Sequence, residues 1–242
     1  MMKEEMGMPL FSKYKRSKSK KLNKQNELLQ EQINNEQQIN LYSDISKNYQ
    51  RLKLIYETCN DVIFRNLFIE GKEAFLVYIE GLSNIEELDD NVLRVIMKQS
   101  ISGISNSTNI LKENLPLSNV QRVRTFSECI EQVSLGNPVI ILDNQNFGLS
   151  FGLSKWEKRS IEESVAEPVV RGPREGFIEV LQVNTSLLRR KIRSPNLKMY
   201  SMELGRYTKT KVMIAFIEGI VDNTLIEEIK SRLGSAVRSG KC

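Results

Sequence analysis

Two predicted hairpins of the same kind form the clearest hydrophobic pattern along this chain. Apolar and β-branched residues fill 62–69 and 74–79, and Gly71 between the two runs supplies a turn, which together predict a pair of antiparallel strands. The pattern recurs with a strand over 197–204 and a β-branched run that ends at Ile217. The chain therefore contains two similar hairpins that lie far apart in sequence.

Both hairpins end in the same turn signal. Glu80 and Gly81 follow the first hairpin, and Glu218 and Gly219 follow the second. Glycine permits a tight bend after a strand, and the spacing between the copies is far longer than one unit of a solenoid repeat. We therefore predict two related modules rather than a repeat array.

An acidic helix is predicted after each turn. The first covers 84–98, where Asn84 and Glu87 have the spacing of a capping box, and the second covers 222–233. Each module thus combines a hairpin, a tight turn and a helix.

Further elements complete the first module. Apolar residues at helical spacing predict a helix over 43–59. A second helix is predicted over 115–135 and ends at Gly136, since glycine commonly terminates helices. Short apolar runs predict strands over 139–142 and 147–153.

These elements predict an α/β protein of the mixed α+β kind, with two small sheet-plus-helix subdomains. The predicted organisation is a disordered basic and Gln/Asn-rich tail over 1–42, a first subdomain over 43–160, a linker over 161–177, and a second, incomplete subdomain over 178–242. The tail is expected to be disordered because it contains too little apolar surface to bury.

The absence of histidine restricts the chemistry, because it removes the imidazole base of Ser and Cys nucleophiles and most zinc sites. The three cysteines form no CxxC pair, and no phosphate-binding glycine loop occurs. Acid pairs such as Glu86 and Glu87 are expected to face solvent. We therefore expect no enzymatic activity, no cofactor and no catalytic or metal-binding residues.

Most of the net charge of +5 belongs to the tail. Residues 1–24 contain eight Lys or Arg against Glu4 and Glu5, which leaves the rest of the chain nearly neutral. Such a tail can solubilise the protein or contact anionic lipid headgroups, whereas nucleic acid is a weaker hypothesis because only Phe11 and Tyr14 could stack on bases. No apolar stretch is long enough to span a membrane and no signal peptide is visible, so a cytosolic chain is expected.

A turn-rich basic segment precedes the second module, and a helix is predicted after it over 178–192. We interpret this segment as an intermodule contact whose arginines pair with acids, although an anion site at the helix start is an alternative. The basic residues of the helix end, Arg189, Arg190, Lys191 and Arg193, suit the helix dipole without a ligand. The candidate contact residues are Arg171, Gly172, Pro173, Arg174, Glu175 and Gly176.

Several of these segments also carry a family resemblance. The runs WEKRSIEE, VVRGPREGF, NTSLLRRKIRSPNLK, GRYTKTKV and FIEGI occur in this order. Together they resemble the soluble N-terminal region of the A subunit of spore germinant receptors, the GerA family, over about residues 44–233.

The resemblance implies a receptor of A, B and C subunits that responds to nutrients at the inner membrane of bacterial endospores. It also implies two α/β subdomains on the cytoplasmic face of that membrane. Family members continue into a membrane domain of several helices, whereas this chain ends at Cys242. We therefore expect a truncated chain whose second sheet lacks strands.

The function expected from this resemblance is a part in nutrient-triggered germination through protein contacts with the B and C subunits. An alternative is a small-ligand-binding module that uses the cleft between the two subdomains, since pockets favour such interfaces.

The tail hypothesis predicts weak binding to anionic lipid vesicles that is lost as salt rises, because each basic residue near such a surface contributes about 1 kcal/mol. Deleting residues 1–24 should abolish this binding in a vesicle sedimentation assay. Undiminished binding by the deletion variant would contradict the hypothesis.

Overall fold

The computed structural model describes residues 39–69, 71–94, 119–155 and 176–238, and from Asn40 onward these belong to one compact unit. Two antiparallel sheets with packed helices confirm the α+β class. Residues 1–38 of the predicted tail lie outside the described residues, whereas Leu41 near its predicted end is buried and its N–H donates to the Arg124 carbonyl at 2.8 Å. The domain boundaries stay predictions. The elements are α1 (Ile45–Ile55), β1 (Val62–Ile69), β2 (Lys72–Ile79), α2 (Ile85–Leu88), β3 (Val120–Val123), α3 (Phe126–Ser134), β4 (Val139–Leu142), β5 (Gly148–Phe151), α4 (Leu181–Lys191), β6 (Leu197–Leu204), β7 (Thr210–Ile217) and α5 (Asn223–Arg238).

The first sheet has five strands in the order β1-β2-β4-β5-β3, and all neighbours are antiparallel. The β1–β2 hairpin pairs Val62 with Ile79 and Ile69 with Lys72, so the predicted strands are confirmed almost to the residue. On the inner side of the hairpin, β2 pairs through Ala74–Val77 with β4. β2 is therefore a central strand, which explains its continuous apolar run.

Both faces of the first sheet are covered. On one face Leu76 and Ile140 pack in a buried cluster with Leu88. On the other face the ring of Phe75 packs edge-on against Tyr49 of α1, with 5.4 Å between the ring centroids. Successive residues of β2 thus serve opposite sides of the sheet, as the period of a strand requires.

The helix predicted over 115–135 is wrong in its first part. Residues Val120–Val123 form strand β3, and helix α3 begins at Phe126, with the Thr125 hydroxyl accepting from the Glu128 N–H at 3.1 Å. The Thr125 cap separates two elements that apolar spacing alone had merged. The predicted helix end is confirmed, since α3 stops just before Gly136.

The helix predicted over 84–98 is short and changes pitch. Four α-helical residues, Ile85–Leu88, are followed by a π-helical turn over Asp89–Leu93, and residues 95–118 lie outside the described part of the chain. The cap is half of a capping box: the Asn84 side chain accepts from the Glu87 N–H at 3.3 Å, while the Glu87 carboxylate accepts from the Asn84 side-chain amide at 3.0 Å.

The second sheet is the β6–β7 hairpin, in which Leu197 pairs with Ile217. It is joined to the residues that precede β1 by main-chain hydrogen bonds. The Met199 N–H donates to the Thr58 carbonyl at 3.2 Å, and the Asn60 N–H donates to the Met199 carbonyl at 2.9 Å. The first hairpin and the second sheet are therefore connected through 58–60.

Core packing yields a direct test. Leu76 is fully buried in the cluster of the first sheet, whereas Leu54 on α1 is 69% exposed. Leu76→Ala should lower the free energy of unfolding by about 2–5 kcal/mol, because it leaves a cavity, and Leu54→Ala should change it by less than about 0.5 kcal/mol. Urea denaturation measures both, and similar losses would contradict this packing.

Candidate ligand-binding cleft

A cleft of about 690 Å³ lies between the turn after β2 and helix α4. Its first wall consists of residues in 78–86, and its second wall consists of α4 with the residues just before it. Lys155 also lines the space. The volume suits a small molecule, since ligand pockets span roughly 300–1,000 Å³.

Hydrogen bonds to the rest of the fold hold the first wall in place. The Glu80 N–H donates to the Asp61 carbonyl at 2.8 Å. The buried Ser83 hydroxyl donates to the Gly136 carbonyl, also at 2.8 Å. This wall is thereby fixed at one end to the residue before β1 and in the middle to the turn after α3.

The second wall presents one stripe of α4. Gln182, Ser186 and Arg190 are spaced four residues apart and line the cleft, since such residues share one side of a helix. The chain before the helix is tied back to it, because the Asn184 side chain accepts from the Ile178 N–H at 2.8 Å and donates to the Ile178 carbonyl at 2.7 Å.

Gly81 allows the two walls to approach closely. Its φ of +82° lies in the left-handed region, and a Cβ atom added there would overlap the Ser186 hydroxyl and lie 3.0 Å from the Gln182 Cγ. Gly219 has the same φ of +82°, but a Cβ atom there would meet nothing within 4 Å. The two repeat turns therefore share a backbone conformation and differ in their surroundings.

The cleft contains charges of both signs. Glu80, Glu86 and Glu179 are acidic, and Lys155 and Arg190 are basic. The Arg190 guanidinium donates to the Lys155 main-chain carbonyl at 2.9 Å, which connects α4 with the segment after β5. Serine, asparagine and tyrosine side chains add neutral hydrogen-bonding groups to the lining.

A buried ion pair lies beside the cleft. Arg189 and Asp61 are 2% and 4% exposed, and their two hydrogen bonds measure 2.6 Å from Nε to Oδ2 and 2.8 Å from Nη2 to Oδ1. Nη1 donates to the Ser194 carbonyl at 3.1 Å. Burial alone would lower the pKa of Arg189, but the Asp61 carboxylate outweighs it and the net shift is upward. The helix dipole alone did not predict this partner.

The described thiols are poor nucleophiles. Burial raises the pKa of Cys129 to about 12, and burial is also the main cause of the raised pKa of Cys59. Both cysteines are buried and unbridged. Thiolate chemistry at neutral pH is therefore disfavoured at these two positions.

The predicted site residues divide into three groups. Arg171, Gly172, Pro173, Arg174 and Glu175 lie outside the described residues, so their intermodule role stays a prediction. Gly176, Glu80 and Gly81 line the cleft. Glu218 instead pairs with Lys198 at 3.1 Å, and neither Glu218 nor Gly219 belongs to the lining. The polar stripe of α4, formed by Gln182, Ser186 and Arg190, was not predicted from the sequence.

Comparison with known proteins gives a consistent family signal. The family model described as Bacillus/Clostridium GerA spore germination protein matches residues 50–238. The uncharacterized membrane protein YfkQ of Bacillus subtilis is 34% identical over 88% of this chain and 42% of its own length. Spore germination protein KA of the same organism is 33% identical over 93% of this chain and 43% of its own length.

A solved structure shares the fold. The N-terminal domain of the A subunit of the Bacillus megaterium spore germinant receptor GerK3 is 26% identical with a TM-score of 0.63, over 84% of this chain and 77% of that one. The present chain spans about two-fifths of the length of the relatives it matches. Among the residues described here, none of the helices is both long and apolar enough to cross a bilayer.

The two repeat turns provide a matched pair of variants. Gly219→Ala should lower the free energy of unfolding by about 1–2 kcal/mol, because a residue with a Cβ atom is strained in the left-handed backbone conformation. Gly81→Ala should lower the free energy of unfolding by that amount plus about 1–3 kcal/mol, because the new methyl group overlaps the Ser186 hydroxyl and crowds the Gln182 side chain, which must shift. Thermal or urea unfolding measures the difference, and equal losses would show that α4 does not press against Gly81.

Proposed function

Because the chain belongs to the GerA family of Bacillus/Clostridium spore germination proteins, we propose that it is the N-terminal part of a germinant receptor A subunit and binds a small polar nutrient in the cleft. The observation that carries this proposal is the cleft of about 690 Å³, whose walls come from two separate parts of the fold. A ligand that contacts both walls favours one distance between them, and binding can thereby become a signal.

The lining favours a ligand with charges of both signs. Carboxylates from Glu80 and Glu179 suit an ammonium group, and the Arg190 guanidinium suits a carboxylate. Hydroxyl and amide groups between them can fix the orientation of a small molecule. A free amino acid combines these features, so we propose this ligand class.

Family membership supports the remaining parts of the proposal. The chain acts without catalysis, through contacts with the B and C subunits at the cytoplasmic face of the spore inner membrane. The lack of histidine in the whole chain supports a non-catalytic role, and the solved A-subunit domain supports a receptor context. The basic tail adds contacts with anionic lipid headgroups.

The test is a thermal-shift screen of the full chain against the twenty standard amino acids, with glucose and inorganic phosphate as other chemical classes. A ligand present at 100 times its Kd should stabilise the fold by about 2.7 kcal/mol through mass action. We expect one or a few amino acids to raise the melting temperature and the other two classes to have no effect.

Matched carboxylate variants assign any binding to the cleft. Glu179→Gln removes a lining carboxylate and should weaken the stabilisation, whereas Glu203→Gln on β6 removes an exposed carboxylate outside the lining and should leave it unchanged. A screen without stabilising amino acids, or equal responses of the two variants, would refute ligand binding in the cleft.

A further inference from the structure

We propose that Asp61 and Arg189 are positioning residues for the cleft: their ion pair sets the separation of the two walls, and with it the ligand affinity, although neither residue lines the cleft. The link to affinity rests on the proposed function, whereas the link to wall separation stands on the contacts alone. Among the ion pairs of the described residues, this one has both side chains buried.

Asp61 contacts both walls. Its main-chain carbonyl accepts from the Glu80 N–H at 2.8 Å, and Glu80 belongs to the first wall. Its carboxylate accepts two hydrogen bonds from Arg189 on α4, the helix of the second wall. A single residue therefore connects the two sides of the cleft through bonds of defined direction.

Arg189 in turn holds α4 at a fixed rotation. Thr185 and Arg189, one turn apart, are buried on α4, and Ser186 and Arg190 are their immediate neighbours in the cleft lining. Rotating or shifting the helix to break the Arg189 bonds would therefore move the lining stripe as well. The anchored side and the lining side of α4 cannot move independently.

The ion pair also closes a ring of contacts through the second sheet. Nη1 of Arg189 donates to the Ser194 carbonyl in the turn before β6. β6 is bonded to Asn60, since the Asn60 N–H donates to Met199 and the Asn60 side chain accepts from the Ser201 N–H at 2.9 Å. Asn60 precedes Asp61, so α4, β6 and the start of β1 constrain one another.

Hydrogen exchange of the full chain without ligand tests the positioning role. Arg189→Lys keeps the positive charge, but a lysine cannot form the bidentate hydrogen bonds that Arg189 makes with the Asp61 carboxylate. We expect amide exchange in 78–86 and 181–191 to become at least about tenfold faster. This needs a decrease of only about 1.4 kcal/mol in the free energy of local opening. Exchange in 139–142 of the sheet should stay slow. The control is Arg232→Lys in the exposed Arg232–Glu228 pair on α5, which should leave the protection of both walls unchanged.

Two results with Arg189→Lys would overturn the proposal. An equal rise in 139–142 would mean that the pair only stabilises the whole fold, and unchanged exchange would mean that the walls do not depend on it. The double variant Asp61→Leu with Arg189→Met provides a second test, because apolar pairs often replace buried ion pairs without loss of stability. Exchange at both walls should stay raised in it, and a return to wild-type exchange would show that packing alone positions the walls.

The binding arm uses whichever amino acid stabilises the wild type most in the screen. The affinity of the Arg189→Lys variant for this amino acid should be about tenfold lower than that of the wild type. An unchanged affinity would show that the ion pair does not influence ligand binding. If none of the twenty amino acids stabilises the wild type, the proposed function fails, while the exchange experiment still decides whether the pair positions the walls.

Discussion

The buried pair of Asp61 and Arg189 is the contact on which the arrangement of α4, β6 and the first hairpin depends. Moving two charges out of water costs several kcal/mol for each ion, so such a pair persists only when its geometry satisfies the donors and acceptors. Here the guanidinium places two bonds on the carboxylate and a third on a main-chain carbonyl. The upward pKa shift of an already strongly basic group also means that pH changes near neutrality do not discharge Arg189.

Local sequence signals were sufficient for most of the strands. The runs at 62–69, 139–142 and 197–204 combine β-branched residues with bounding turns, and the structure has strands at these positions. Helix boundaries were harder, as 115–135 shows. Val120 and Val123 are three apart, a spacing that fits a helix, whereas their strand conformation depends on pairing with β5, which is distant in sequence.

The cleft was less predictable because its second wall is a helix with a polar buried side. Thr185, Ser186 and Arg189 are buried, so a search for apolar residues at helical spacing could not identify the side of α4 that faces the protein. The partner of Arg189 is 128 positions away. No local feature distinguishes Arg189 from Arg190 beside it, and only the fold makes one an anchor and the other a lining residue.

The two Glu-Gly turns have the same sequence and the same glycine backbone conformation, but their glycines are constrained by different surroundings. At Gly219 the constraint is the left-handed backbone, a conformation that asparagine and aspartate also tolerate. At Gly81 the neighbouring helix adds a second constraint, because a Cβ atom there would overlap the Ser186 hydroxyl. The same two-residue signal therefore marks a bend at both positions, but it marks a contact with a helix only at Gly81.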